Sequence, residues 1–217
     1  MRYAEDLPRV LKEAFFIART GRPGPVVIDV AKDAFAAEID YKYPDEVHLR
    51  GYSGQYTGDE KSIDKVTEAL QKAKKPLIFA GGGVITSGTY KLLRKIADDM
   101  NIPVTSTLMG LGAADADSDG YLGMAGMHGS YASNMAIMEC DLLLGIGVRF
   151  DDRVTGIMNE FAPNAAIVHF DIDYAEINNF PPELSSGGDK YFHLRNYSEY
   201  SEYTSGFFLS LMIFIKS

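Results

Sequence analysis

One cysteine, Cys140, is all the thiol chemistry these 217 residues hold, which excludes a disulfide framework and a multi-cysteine zinc site. Cys140 follows an expected helix and precedes an apolar run, so it reads as a small buried hydrophobe in a reducing cytosol, and a cytoplasmic location is expected. A basic stripe is missing too. Lysines and arginines are scattered and the formal net charge is −9, which argues against nucleic acid as a partner. No early stretch joins a basic start to an unbroken apolar run, because Glu5, Asp6, Arg9, Lys12 and Glu13 interrupt residues 1–22, so no export signal is expected. The one continuous greasy run, Phe207 to Ile215, is too short for a hydrocarbon core of ~30 Å at about 1.5 Å per helical residue. No membrane span is expected. Nor is there a nucleophile elbow, a serine or cysteine paired with a spaced histidine, or a metal-ligand cluster.

What is present is enough apolar material, 46% of the chain, to bury one sizeable core and a short neighbouring segment. Leu7, Val10, Leu11, Ala14, Phe15 and Ala18 share one helical face, with Pro8 near its start and Gly21 just beyond its end. Pro25 to Val30 reads as a buried strand, and residues 34–58, weak in periodicity, read as a linker after a first region of 1–33. From there the pattern is regular. A helix with Ile63, Val66 and Leu70 inward leads to strand Pro76 to Ala80, then a helix with Leu93, Ile96 and Met100 inward, then strand Ile102 to Ser106. A long glycine-rich loop, a helix near Ser130 to Glu139, strand Asp141 to Gly147, strand Ala166 to Ile172 and a short helix near Tyr174 to Asn178 follow. Strands alternating with helices at this spacing predict an α/β domain over 59–180, a parallel sheet with helices on both faces.

Ligands of such sheets bind outside the carboxyl ends of the strands, so four loops matter before any motif is considered. Gly81-Gly82-Gly83 follows a strand and opens a helix; it either lets backbone amides approach a ligand or simply makes a sharp turn. Thr107-Leu108-Met109-Gly110 and Gly126-Met127-His128-Gly129 bracket the longest loop, whose methionines would suit a flat apolar ring, although methionine more often fills a core. His128 lacks companions at metal-ligand spacing. In Arg149-Phe150-Asp151-Asp152-Arg153 an arginine could fork onto phosphate or carboxylate, or the acids and arginines could pair and cap a helix. Asp171 and Asp173 could accept from a ribose or ribityl hydroxyl, or be solvated caps. Spacing alone stops at a nucleotide-binding module.

At four runs the sequence resembles the catalytic subunit of acetolactate synthase, within the thiamine-diphosphate enzymes. They are Gly21-Arg22-Pro23-Gly24-Pro25-Val26, Ala80-Gly81-Gly82-Gly83-Val84, Gly126-Met127-His128-Gly129 and Arg149 through Gly156, the last being the most specific. The resemblance covers roughly Leu7 to Asn179 and implies the end of a pyrimidine-binding domain, a linker, and most of a Rossmann-like central domain. It implies FAD, bound without net redox use, beside Arg22, Gly81, Gly82, Gly83, Thr107, Leu108 and Met109 from the first loops. Met127, His128, Gly147, Arg149, Asp151, Asp171 and Ile172 complete that set. Arg153 resembles the arginine that holds the carboxylate of a second 2-oxo acid, with Lys32, Met127 and Asp152 along the same channel.

The intact enzyme so implied joins pyruvate to a second 2-oxo acid in branched-chain amino-acid biosynthesis, using thiamine diphosphate and Mg2+, as a homodimer attended by a regulatory small subunit. The glutamate that activates thiamine and the Gly-Asp-Gly motif that holds magnesium are not in this sequence, so no catalytic residue is assigned and the chain alone is expected to be inactive. Ala31 stands where the family usually has proline before Lys32. Residues 181–217 do not resemble the family, read as a frame-shifted or appended end, and are expected to cost the domain its last strand or helix. The competing expectations are a stand-alone flavin or nucleotide module and another thiamine enzyme such as pyruvate oxidase or glyoxylate carboligase.

Overall fold

The computed structural model describes residues 1–52, 60–157, 160–173, 176 and, by backbone, 191–195. The chain divides into two compact units, Met1–Tyr56 and Thr57–Ser217. In the first, α1 (Leu7–Arg19) carries Pro8 in its first turn, where a missing N–H leaves no intrahelical bond unmade. It stops where Thr20 N–H bonds the Phe16 carbonyl and Gly21 takes φ +61°.

The stretch expected as a linker begins in a short helix, α2 (Lys32–Ala36), and is tied to α1. Lys12 Nζ donates to the carbonyls of Pro44 and Asp45 and lies 4.9 Å from the Tyr43 ring centre. Tyr52 meets Phe16 edge to face at 6.0 Å and its hydroxyl lies 2.8 Å from Thr20 Oγ1. The strand expected over Pro25 to Val30 does not form. The segment is extended, but Val27 is 90% exposed, and Met1, which accepts from Ala31 N–H at 3.1 Å and donates to the Asp29 carbonyl, makes no continuous ladder beside it. A strand is defined by its pairing, and an apolar run cannot supply its own neighbour.

The second unit runs α3 (Glu60–Lys72), β1 (Pro76–Ala80), α4 (Gly82–Thr86), α5 (Tyr90–Met100), β2 (Val104–Ser106), β3 (Tyr121–Met124), α6 (Tyr131–Glu139), β4 (Leu142–Ile146), α7 (Asp152–Thr155), β5 (Ala166–Asp171) and β6 (Tyr191–Arg195). All neighbours pair in parallel, in the order β3-β2-β1-β4-β5-β6. Successive residues of β1 face opposite sides: Ile78 and Ala80 pack with Val66, Leu70, Leu93 and Ile96, while Leu77 and Phe79 pack with Ile137, Cys140, Phe150 and Ile167. Both faces are covered, as the near-continuous apolar runs of the strands require. Side chains of residues 60–63, and with them the inward placement of Ile63, lie outside the described residues, as does the helix expected near Tyr174 to Asn178 apart from Glu176.

Two expectations are corrected. The loop from Thr107 to Gly129 is interrupted by β3, which alternation could not reveal because Gly123 sits in it at φ +95° and its ladder with β2 shifts register between Val104 and Thr105. The sheet also continues past β5: Tyr191–Arg195 pairs with Ile167–Asp171, so part of the 181–217 tail has a place in the fold and β5 is not the last strand. Its sequence alternates apolar Phe192 and Leu194 with polar His193 and Arg195, a pattern suited to an edge strand.

Candidate cofactor site

The order of strands places a crevice between β1 and β4, where the chain changes direction across the sheet, and register aligns their exits. Ala80 stands beside Ser106 and Ile146, and Ile146 beside Phe170, so the segments that begin at Gly81, Thr107, Gly147 and Asp171 open on one edge.

The glycines at this crevice sew the two central loops together. Gly81 N–H bonds the Ile146 carbonyl at 2.9 Å, Gly83 N–H the Gly147 carbonyl at 3.0 Å, and Gly147 N–H the Phe170 carbonyl at 2.7 Å. A Cβ on Gly81 would sit 2.0 Å from the Gly147 oxygen, and one on Gly83 2.6 Å from the Gly147 Cα. A Cβ on Gly110 would meet the Ala80 oxygen at 2.2 Å. The sharp-turn reading therefore accounts for Gly81 and Gly83, whose amides are already bonded within the protein. Gly82 differs, being half-buried, with Met109 Cβ the nearest atom to a Cβ there at 3.1 Å.

The methionines are not core filler. Leu108 is 67%, Met109 75% and Met127 76% exposed, on loops beyond the carboxyl ends of β2 and β3. They are held out by what lies behind them: Thr107 Oγ1 accepts from Gly110 N–H at 3.1 Å, and Arg94 donates to the carbonyls of Gly112, Ala113 and Ala114. His128 is exposed.

The charged loop is anchored by its apolar members. Val148 is fully buried, and Phe150 fills the space above Gly145, where a Cβ would lie 2.5 Å from its ring. Phe150 meets His169 edge to face at 4.8 Å, and His169 Nε2–H donates to the Val148 carbonyl at 2.8 Å. Alternation then turns Arg149 outward, 55% exposed, with a loose 3.8 Å ion pair to Glu176 and none to the neighbouring acids. Asp151 stands at the N-cap of α7, yet its side chain caps nothing, and its Oδ1 is buried with no hydrogen-bond partner among the described residues. Asp152 and Arg153 are exposed, and the Arg153 guanidinium has no ion pair among the described residues. The pairing and capping alternative is thus not what the loop does.

Asp171 Oδ1 accepts from Asp173 N–H at 2.8 Å, which leaves Oδ2 for other partners, 3.8 Å from His169 Nε2. Ile172 is half-buried. Arg22 and Lys32 belong to the first unit, both exposed, Lys32 opening α2. Cys140 is buried as expected, its thiol pushed up to about 12 first by desolvation and then by Asp141. No cluster of metal ligands occurs among the described residues, and none of their helices is long and apolar enough to cross a membrane. Sequence reasoning passed over Phe150 and His169 as anchors and over Asn134, whose signal was an asparagine inside a helix, where it is a poor helix former.

A parallel sheet wound outward from a crevice flanked by glycine turns, with helices on both faces, defines the class: a doubly wound, Rossmann-like α/β domain. A solved structure from Mycobacterium smegmatis, assigned to the thiamin diphosphate-dependent enzymes, shares this fold with a TM-score of 0.67 over 98% of this chain and 38% of its own, at 16% identity. The description "thiamine pyrophosphate enzyme, central domain" matches residues 63–191, and the chain belongs to that family. It is 49% identical over 181 residues to the acetolactate synthase large subunit of Haemophilus influenzae, covering 82% of this chain and 32% of the relative. To the isozyme 3 large subunit of Escherichia coli it is 43% identical over 180 residues, covering 82% and 31%. The chain thus spans about a third of the length of these curated relatives.

Proposed function

We propose that the chain is the central region of an acetolactate synthase large subunit and that its edge site holds FAD. The observation that carries this reading is Asp151 Oδ1, a buried acceptor with no hydrogen-bond partner among the described residues, on the loop that leaves the crevice. A buried polar atom without a partner costs about 1–3 kcal/mol, and a ligand hydroxyl or N–H would relieve that cost. The surroundings fit an extended dinucleotide. Arg149, only loosely paired, can fork onto phosphate, and Met109, Met127 and Leu108 offer exposed apolar surface to a flat ring. Gly82 leaves the approach beside Met109 open, and Asp171 Oδ2 remains an acceptor for a hydroxyl. Thr107, His128, Gly147 and Ile172 complete the proposed flavin neighbours of this unit, and Arg22, in the first unit, is proposed on the resemblance alone.

The chemistry, decarboxylation of one 2-oxo acid and its joining to a second, comes from thiamine diphosphate with Mg2+ when bound to the intact enzyme. This chain's part is to orient. The Arg153 guanidinium, exposed and without an ion pair among the described residues, is suited to grip the planar carboxylate of the second 2-oxo acid, and the resemblance assigns Asp152, Met127 and Lys32 to the same substrate. The intact protein in this reading is a cytoplasmic homodimer with a regulatory small subunit.

The test separates the two arginines in this chain grafted in place of the matching segment of the full-length Haemophilus influenzae large subunit. Arg153→Ala should raise KM for the second 2-oxo acid about tenfold or more while FAD stays bound, whereas Arg149→Ala should release FAD more readily. Equal losses of both properties in both variants would remove this division of labour.

A further inference from the structure

Two loops of the sheet edge meet through one backbone hydrogen bond, and one side chain sets its geometry. Asn134, in the first turns of α6, grips Gly126 at both ends: Gly126 N–H donates to Asn134 Oδ1 at 2.9 Å, and Asn134 Nδ2 donates to the Gly126 carbonyl at 3.1 Å. Gly126 is held at φ +105°, and a Cβ there would lie 3.1 Å from the Arg153 carbonyl oxygen. The next amide, Met127 N–H, donates to that same Arg153 oxygen at 3.2 Å. A glycine at positive φ has much conformational freedom to lose, and the two-point grip removes it just before the residue that crosses to the other loop. An asparagine is locally disfavoured in a helix, and this grip accounts for its place there.

We propose that Asn134 is a positioning residue that couples the Met127 loop to the backbone from which Arg153 projects. The inference rests on the proposed roles of Met127 and Arg153 for its functional meaning, but its geometry does not depend on flavin. Other groups hold α6 itself. Ser130 and Ser133 hydroxyls donate to the Leu122 carbonyl at 2.7 and 2.8 Å, and Ser130 Oγ caps the helix by accepting from Ser133 N–H. Removing the grip should therefore free the loop without unseating the helix.

The experiment is amide hydrogen exchange by NMR on the 217-residue chain without added FAD, with tryptic cleavage after Arg153 as a second readout. Asn134→Leu should speed exchange at Met127 by about tenfold or more, the loss expected for one to two hydrogen bonds, with Ser133 and Leu144 unchanged. Cleavage after Arg153 should rise in parallel. Asn134→Asp, which keeps the acceptor for Gly126 N–H and loses the donor, should give a smaller increase. Unchanged Met127 exchange in both variants, or an equal rise at Ser133 and Met127 in both, would overturn the coupling. A chain that shows the predicted exchange pattern yet binds no FAD would sink the flavin reading alone.

Discussion

The two loops flanking the crevice share an edge and a dense set of motif residues, and they do opposite things with them. From β1, the Gly81 to Gly83 turn directs its polar backbone inward: Gly81 and Gly83 amides bond the adjoining loop, and their missing side chains make room for the Gly147 backbone. From β4, the Val148 to Arg153 loop buries its apolar members and presents its polar ones, leaving, among the described residues, Asp151 Oδ1 without a hydrogen-bond partner and the Arg153 guanidinium without an ion pair. The glycine cluster at this strand exit is a packing joint, and the polar groups on the loop beside it are the ones on which the flavin proposal rests.

Substitutions should separate the two loops by property as well as by size. The largest effect is expected from Gly81→Ala, whose methyl would stand 2.0 Å from a backbone oxygen that no side-chain rotation can move. A loss of about 3 kcal/mol or more, or failure to fold, should appear in urea unfolding. Phe150→Ala should come next, at about 3–5 kcal/mol, because it empties the space between Gly145, Phe79 and His169 that anchors the charged loop. Asp151→Ala should invert this pattern. It removes a buried acceptor that has no partner among the described residues, so stability without FAD should hold or rise, by up to about 1–3 kcal/mol, while FAD affinity falls about tenfold. A large stability loss there would erase the contrast between the loops.

Cys140 gives the smallest signal. With its thiol pushed up to about 12 by burial, native alkylation at pH 8 should be negligible, and urea should restore it. The sign follows from linkage: the folded state holds the proton more tightly, so the chain should lose stability as pH climbs from about 9 toward 12.

Much of the fold was legible because β1, β4 and β5 are apolar runs buried on both faces, and α3 and α5 carry a clean helical stripe. The exceptions have physical causes. Gly123 and a register shift hid β3, β6 lies in a stretch that does not resemble the family, and Pro25 to Val30 has strand chemistry without a ladder partner among the described residues. At the candidate site, sequence placed Arg149, Asp151 and the methionine loops beyond the carboxyl ends of the strands, which is where the structure has them. It could not tell which polar groups the protein satisfies itself, because Gly83's bond to Gly147 and Asn134's grip on Gly126 join positions far apart in the chain or across a loop.

The central claim is that the unsatisfied edge of this sheet is a flavin site. Titrating the purified chain and its Asp151→Ala variant with FAD, following flavin fluorescence, tests it directly. The account predicts saturable binding of about one FAD per chain, weakened about tenfold in the variant with folding intact. No saturable binding by the folded chain, or equal affinity in the two proteins, would contradict it.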